Sequence, residues 1–174
     1  MARQQNILTG VERHFPDHEL IVSKTDTRGV VTYANRVFLK LAGYDEDEVI
    51  GKPHNIIRHP EMPRCVFKLL WDTISSGREI FAYVVNRSLN GDHYWVFAHV
   101  TPSFDEQGRI VGYHSNRRVP RREAINTITP IYHQLREIEK RHGDPKAGTA
   151  ASFDAMVSLF KSQGMGYDQF VFTL

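Results

Sequence analysis

The sequence contains 174 residues, 41% of them hydrophobic and 24% charged, which excludes a disordered chain and indicates one folded domain with some additional terminal helix. Its 22 Lys and Arg residues nearly balance 20 Asp and Glu residues, so charge provides no general attraction to nucleic acid or acidic lipid. One cysteine excludes a disulfide framework, and with neither a bilayer-length apolar run nor a secretory signal we expect a cytoplasmic protein without direct membrane insertion.

The first half of the chain predicts two strands followed by short helices. Residues 19–35 contain two β-runs joined by a turn at Asp26–Gly29. A helix with apolar residues at helical spacing follows and stops at Gly43, and a second short helical turn starts at Asp45. The loop that comes next, residues 53–63, concentrates two histidines and an arginine among three prolines.

The middle of the chain predicts one long helix and three strands. Residues 61–76 have a wide apolar face at a 3.6-residue period and end at Gly77. Three strand-like runs follow at residues 79–88, 93–102 and 109–118, joined by turns typical of hairpins. Because side chains alternate along a strand, every second residue of a run lies on the same face. Asn86 belongs to one such set in the first run, and His114 belongs to one such set in the third run. Because the opposite side of the middle run is also apolar, we expect both faces of the sheet to be covered.

The last 55 residues predict helices without a sheet. Pro130 suits the first turn of a helix capped by Thr129, GDPKAGTA has the composition of a linker, and a last helix stops at Gly164 before an apolar tail. We expect that these helices and the tail cannot all pack against one small sheet. The arginine-rich stretch Arg117–Arg122 is interpreted as a solvated strand exit, since no aromatic residues interleave with it.

The order of elements predicts an α+β fold. It has a five-stranded antiparallel sheet with short helices and one long helix on one face, plus C-terminal helices. We divide the chain into an N-terminal cap segment (1–19), a sensor domain (20–119) and a C-terminal helical extension for docking or oligomerisation (120–174). A pocket between the long helix and the sheet is the expected ligand site.

Three stretches carry a resemblance to a known family. VVTYANRVFLKLAGYDEDEVIGKPHNIIRHPEMP at residues 30–63, Leu70-Trp71, and NRSLNGDHYWV at residues 86–96 resemble the PAS sensor domain. Within that family they are most similar to the aerotaxis-receptor type, which holds FAD. The resemblance covers roughly residues 20 to 118 and agrees with the α+β fold predicted from the order of elements.

The resemblance implies a set of FAD-binding residues in this chain. Asn35 matches an asparagine that opens the first short helix, and Arg58 and His59 match the arginine–histidine pair of the cofactor loop, whose donors suit an anionic pyrophosphate or the polar flavin edges. Phe67 and Trp71 match aromatic positions on the cofactor side. Asn86 matches a carboxamide whose donor and acceptor complement the flavin pyrimidine.

Two further histidines complete the predicted cofactor site. His54 stands where related light-sensing flavin domains place a reactive cysteine, and the chain's own Cys65 lies eleven residues later, so we expect no photoadduct. His114 matches a strand position that holds glutamine in those domains. A histidine there would donate a hydrogen bond to the flavin nitrogen or exchange a proton with it, which predicts a changed reduction potential on its replacement.

Several readings stay open beside this assignment. The histidines also suit loop or capping roles, the aromatic pair suits an ordinary core, and Asn86 suits a polar strand end. A haem-binding PAS gas sensor and a cofactor-free PAS dimerisation or interaction module are the alternatives. Acidic residues show no paired placement for acid–base chemistry, and the sequence has no nucleophile triad, phosphate loop or metal-ligand spacing, so we expect no enzyme.

The expected function is cytoplasmic energy sensing. A non-covalent FAD reports redox or oxygen state, and because the sequence has no kinase or methyl-accepting coiled coil after the sheet, the signal is expected to reach another protein. We expect a chemoreceptor-type or other signalling protein supplied in trans, a homodimer, and no nucleic-acid partner.

Overall fold

The protein was analysed as a computed structural model that describes residues 7–174. The first six residues of the predicted cap segment therefore lie outside the described residues. The predicted fold class is confirmed: the structure is an α+β fold around one five-stranded antiparallel sheet. Its strands are β1 (Ile21–Thr25), β2 (Val31–Ala34), β3 (Ile80–Arg87), β4 (His93–Phe104) and β5 (Ile110–Arg118).

The sheet order is β2-β1-β5-β4-β3, with every neighbouring pair antiparallel. Hairpin turns explain three of the four pairings, since β1 with β2, β3 with β4 and β4 with β5 are consecutive in the chain. The β1–β5 pairing closes the sheet between the two halves of the chain. It brings Ser23 opposite Ser115 and Ile21 opposite Arg117.

Short helices and one longer helix connect β2 to β3. They are α1 (Arg36–Ala42), α2 (Glu46–Val49), a single 3-10 turn at His54–Ile57, and α3 (Arg64–Ser75). Asn35 caps α1 by accepting a hydrogen bond from the Phe38 N–H, and Gly43 ends it in the left-handed conformation that only glycine adopts without strain. These ends agree with the predicted starts and stops.

The C-terminal part is more helical than the sequence analysis predicted. It consists of α4 (Arg122–Lys140), α5 (Pro145–Ser162) and α6 (Tyr167–Thr173). The predicted helix start at Pro130 is wrong, because Pro130 lies exposed inside α4. A buried stripe on the other side of α4, which includes Ile125, Ile128 and Tyr132, stabilises the helix across the missing hydrogen bond.

The predicted linker is also wrong. Asp144 caps α5 by accepting a hydrogen bond from the Ala147 N–H, and Pro145 occupies the first turn, where its missing N–H costs nothing. Residues that resemble a breaker in isolation therefore start a helix here.

Helices α4 and α6 pack against the face of the sheet that carries Trp95 and Phe97, which we call the outward face. The Tyr132 ring stacks on Trp95 with ring centres 6.2 Å apart, and its hydroxyl donates to the Tyr83 carbonyl at 2.6 Å. Phe172 of α6 contacts Phe81 and Phe97. As expected, not every C-terminal helix packs on the sheet, because α5 packs mainly on α3 and α4. The tail is buried all the same, since Phe170 and Val171 are only 5% and 2% exposed.

The N-terminal segment lies along the end of the β3–β4 hairpin. The Thr9 N–H donates to the Gly91 carbonyl, and Glu12 forms a parallel bridge with His93. Asp92 at the hairpin end accepts hydrogen bonds from the Thr9 hydroxyl and the Arg13 guanidinium. Within residues 7–174, no helix combines the length and the apolar character that crossing a membrane requires.

Candidate functional site

A cavity of about 460 Å³ lies between the inward face of the sheet and α3. This volume falls in the range of roughly 300–1,000 Å³ that small-molecule sites occupy. Strands β1, β3, β4 and β5 supply the floor, and α3 with the 3-10 turn supplies the opposite wall. The expected position of the ligand site, between the long helix and the sheet, therefore coincides with a real void.

The wall formed by α3 is apolar and aromatic. Phe67, Leu70, Trp71 and Ile74 follow each other at helical spacing and line the cavity. The Trp71 ring meets the Tyr113 ring edge-on at 5.5 Å, and Trp71 remains 38% exposed. This combination gives flat apolar surfaces that suit a flat aromatic ligand.

The floor of the cavity contains polar atoms without partners. Asn86 Nδ2, Ser115 Oγ and the Arg117 Nη1 are buried and have no hydrogen-bond partner among residues 7–174. All three residues line the cavity from neighbouring parts of the sheet. A buried polar group without a partner costs on the order of 1–3 kcal/mol. The floor thus suits a ligand that offers several hydrogen-bond acceptors.

Ser23, His54 and Arg117 form a hydrogen-bonded group at one end of the cavity. The Arg117 Nη2 donates to His54 Nε2 at 2.7 Å and to Ser23 Oγ at 3.1 Å. Because a guanidinium only donates, His54 Nε2 must accept, which keeps the imidazole neutral. Burial, reinforced by the charge of Arg117, lowers the pKa of His54 to about 3.

Arg117 is a buried cation without a carboxylate partner among the described residues. It is 5% exposed, and burial lowers the pKa of its guanidinium to about 10. The guanidinium carbon also lies 5.8 Å from the centre of the Phe38 ring. Buried charges in proteins are normally paired, so this site suits a negatively charged or strongly accepting group in the cavity.

The loop before α3 contributes Arg58 but not His59. The Arg58 guanidinium lies 4.6 Å from the centre of the Phe67 ring, and its backbone bridges Asn86 of β3. Burial, followed by the nearby Arg64, lowers the pKa of Arg58. His59 is buried outside the cavity, where its Nδ1 accepts from the Glu61 N–H and its ring lies 5.7 Å from that of His93. Burial, followed by His93, lowers the pKa of His59 to about 4.

The structure brings five of the eight predicted site residues to the cavity. These are His54, Arg58, Phe67, Trp71 and Asn86. Asn35 lies outside it and holds α1 against β1, with Oδ1 accepting from the backbone N–H groups of Phe38 and Val22. Asn35 and His59 therefore do not contact the cavity. Each influences it through the elements that it holds in place.

The predicted cavity position of His114 is wrong. Directly opposite residues of an antiparallel pair share a face, and β5 pairs Arg117 with Ala98 and Ser115 with Val100, both cavity residues. His114 pairs with Thr101, points outward and contacts Asn116 Oδ1 at 3.1 Å. The apolar pattern of β5 did not determine its faces; its pairing with β4 does.

Ser23, Ser115 and Arg117 line the cavity but were not predicted from the sequence. Arg117 was assigned to a solvated strand exit, yet it is buried, while its neighbour Arg118 is exposed. The signal that would have found Arg117 is the two-residue period through Tyr113 and Ser115, once the register with β4 is known.

Comparisons with known proteins agree with the observed fold. Residues 31–117 match the family model described as the PAS fold. The chain is 40% identical over 119 residues to the aerotaxis receptor of Escherichia coli (strain K12), an alignment that covers 68% of the chain and 23% of the receptor. The chain thus spans about a quarter of the length of that relative.

Solved structures of light-oxygen-voltage (LOV) domains share the fold. One, from work in which a flavin analogue sheds light on the LOV domain mechanism, superposes with a TM-score of 0.56 at 19% identity and covers 64% of this chain and 83% of its own. The light-state structure of the blue-light photoreceptor Aureochrome1 LOV gives 0.54 at 25% identity, covering 70% and 91%.

Proposed function

Because this chain belongs to the PAS family, we propose that it is a sensory domain that binds FAD non-covalently in the cavity and relays flavin redox state to a separate signalling protein. Similarity to an aerotaxis receptor and to LOV domains, one of them described with a flavin analogue, supports FAD as the cofactor. The observation that carries it is the set of unpaired donors on the cavity floor around buried Arg117.

The residues present fit a flavin. Its ring system is flat and carries carbonyl and nitrogen acceptors along one edge. Asn86 Nδ2, Ser115 Oγ and the free Arg117 Nη1 offer donors to such an edge, while Phe67 and Trp71 offer aromatic surface. Arg58, at the cavity beside Phe67, offers a second cation for a phosphate group.

Bound flavin supplies the redox chemistry, and the protein supplies position and electrostatics. Arg117 brings a fixed positive charge to the cavity, and its hydrogen bond to His54 Nε2 keeps that imidazole neutral. Asn86 presents an amide that both donates and accepts. Helix α3 shields the floor from water, which strengthens these interactions by lowering the local dielectric.

The same atoms count against the alternatives. A haem would need an available histidine nitrogen, but His54 Nε2 is occupied by Arg117 and Ser23. A cofactor-free interaction module would fill its cavity or pair its polar atoms, since unpaired buried polar groups are costly. We therefore favour a ligand-binding sensor, with a chemoreceptor-type protein in trans as the partner and a homodimer as the working state.

The absorbance spectrum of the purified protein tests the cofactor. We expect flavin bands in the visible blue, and mass spectrometry of the released ligand should identify FAD. The Asn86→Leu variant should bind FAD about tenfold more weakly, because it loses roughly one hydrogen bond to a buried acceptor. Colourless protein that also fails to take up added FAD would overturn the proposal, and a sharp Soret band would replace it with haem sensing.

A further inference from the structure

Helix α3 begins without a side-chain cap of its own. Its N-cap position is Pro63, which makes no side-chain hydrogen bond, although the first N–H groups of a helix have no partner within it. The Glu139 carboxylate of α4 supplies that partner. Its Oε1 accepts from the backbone N–H of Arg64 at 2.7 Å and of Cys65 at 3.1 Å. A residue from the C-terminal helices therefore fixes the start of the cavity wall.

The same carboxylate also joins α5 and α4. Ser152 of α5 donates its hydroxyl to Glu139 Oε1 at 3.1 Å, and Arg136 of α4 donates to Oε2 at 2.7 Å. Glu139 is 2% exposed, and a buried carboxylate is tolerated only when it is paired and hydrogen-bonded. Its negative charge is further stabilised by the N-terminus of α3. We call this carboxylate and its four donors the Glu139 joint.

Helix α5 fits closely around the joint. A Cβ added to Gly148 would lie 2.7 Å from the Glu139 carbonyl oxygen, so only glycine allows α5 to approach α4 at this point. The Cys65 side chain is fully buried, and the Lys68 ammonium lies 5.2 Å from the centre of the Phe153 ring of α5. Close packing of this kind transmits small displacements instead of absorbing them.

The opposite side of α3 is the cavity wall. Phe67 and Trp71 lie one helical turn apart on that side, and Arg58 in the preceding loop contacts the Phe67 ring. Any change in the size or charge of a ligand therefore acts on the helix whose first turn the Glu139 joint holds.

We propose that the Glu139 joint transmits a change of ligand state in the cavity to helices α4 and α5. This inference rests on the proposed FAD binding and specifies how that site is coupled to the C-terminal helices. Coupling of this kind needs the two ligand states to differ in their interaction with the joint, typically by about 5- to 150-fold in the equilibrium that they bias.

Hydrogen exchange of the full chain with bound FAD tests the coupling. Exchange across residues 122–162 is compared between oxidised and dithionite-reduced protein for wild type, Glu139→Gln and the matched control Glu137→Gln. Glu137 lies on the same helix but is partly exposed and pairs with Lys140. We expect the state-dependent difference in wild type and the control, and a reduction of it by about fivefold or more in Glu139→Gln with FAD retained.

An undiminished difference in Glu139→Gln would overturn the inference. So would a wild-type protein that binds FAD but shows no difference across residues 122–162. Because we expect Glu139→Gln to weaken folding as well, Ser152→Ala provides a milder variant, which removes one donor and keeps the charge. It should reduce the difference by a smaller amount.

A second measurement needs no ligand. Cys65 is the chain's one cysteine and lies buried at the joint, so its alkylation by iodoacetamide reports the opening of α3 from α5. We expect alkylation about tenfold or more faster in Glu139→Gln than in wild type and Glu137→Gln. Equal rates would overturn the joint, whereas absence of FAD binding in wild type would overturn the proposed function, so the two failures are distinct.

Discussion

The two faces of the sheet are both covered by helices, but the chain covers them differently. On the outward face, Tyr132 stacks on Trp95 and its hydroxyl reaches the Tyr83 carbonyl. On the inward face, α3 is separated from the floor by a cavity of about 460 Å³. Of six buried side-chain atoms without a partner among residues 7–174, three line that cavity.

This contrast distinguishes the surface that serves the fold from the surface that serves a ligand. Stacked rings and a paired hydroxyl are what a chain achieves when it packs against itself. A void with an unpaired amide, an unpaired hydroxyl and a buried cation stores free energy that a suitable ligand recovers on binding. Substitutions on the outward face should therefore change stability more than ligand affinity, and substitutions on the inward face should change ligand affinity more than stability.

The largest expected effect is a loss of stability when packing on the outward face is removed. Tyr132→Ala removes a stacked ring and a hydrogen bond, and should lower the free energy of unfolding by about 3–5 kcal/mol. Urea denaturation of the ligand-free protein measures this loss. Tyr132→Phe keeps the ring and should lose only about 1 kcal/mol. FAD content per folded molecule should remain unchanged in both, and a loss below that of Tyr132→Phe would contradict the packing described for this face.

The second prediction tests the inward face. Arg117→Met replaces an unpaired buried cation with an apolar chain of similar length, so the ligand-free protein should be as stable as wild type or more stable. FAD affinity should fall about 100-fold, since a hydrogen bond to a charged group contributes roughly 1.5–3 kcal/mol. Fluorescence titration with FAD and urea denaturation give the two values.

Arg118→Met is the matched control for that test. Arg118 is the next residue of β5, exposed and on the opposite face, so its substitution should leave FAD affinity within about twofold of wild type. If Arg117→Met destabilised the ligand-free protein and left FAD affinity intact, Arg117 would serve the fold and not the ligand.

The third and smallest effect concerns pH. The pKa of His54 is near 3 in the folded protein, against about 6.5 for an exposed histidine, so the unfolded chain binds a proton that the folded chain excludes. Stability is then fully present above pH 6.5 and is lost as pH falls toward 3. For His54 alone the loss between pH 7 and pH 5 is about 2 kcal/mol. His59, with a pKa near 4, adds a loss of the same sign.

His54→Gln isolates this contribution. Glutamine does not titrate, so the fall in unfolding free energy between pH 7 and pH 5 should shrink by about 2 kcal/mol relative to wild type. Chemical denaturation at both pH values measures it. An identical pH dependence in the variant would mean that His54 is solvated in the folded protein.

The fold class and the main strands and helices of residues 20–119 could be predicted from the sequence alone. Turn residues and period-2 or period-3.6 patterns are local features, so they can be recognised without knowing which elements pack together. The family resemblance, which depends on local sequence motifs, identified five site candidates that lie at the cavity: His54, Arg58, Phe67, Trp71 and Asn86.

The face that each β5 residue occupies and the packing of the C-terminal helices depend on long-range contacts and could not be predicted. The side chains of a strand alternate strictly, so a choice of face depends on pairing across the sheet, and that pairing turned His114 outward and Arg117 inward. Likewise, Pro130 inside α4 costs a few kcal/mol at most, which burial of a long apolar stripe outweighs. Burial depends on what lies opposite a residue in space, and neighbours along the chain do not encode that.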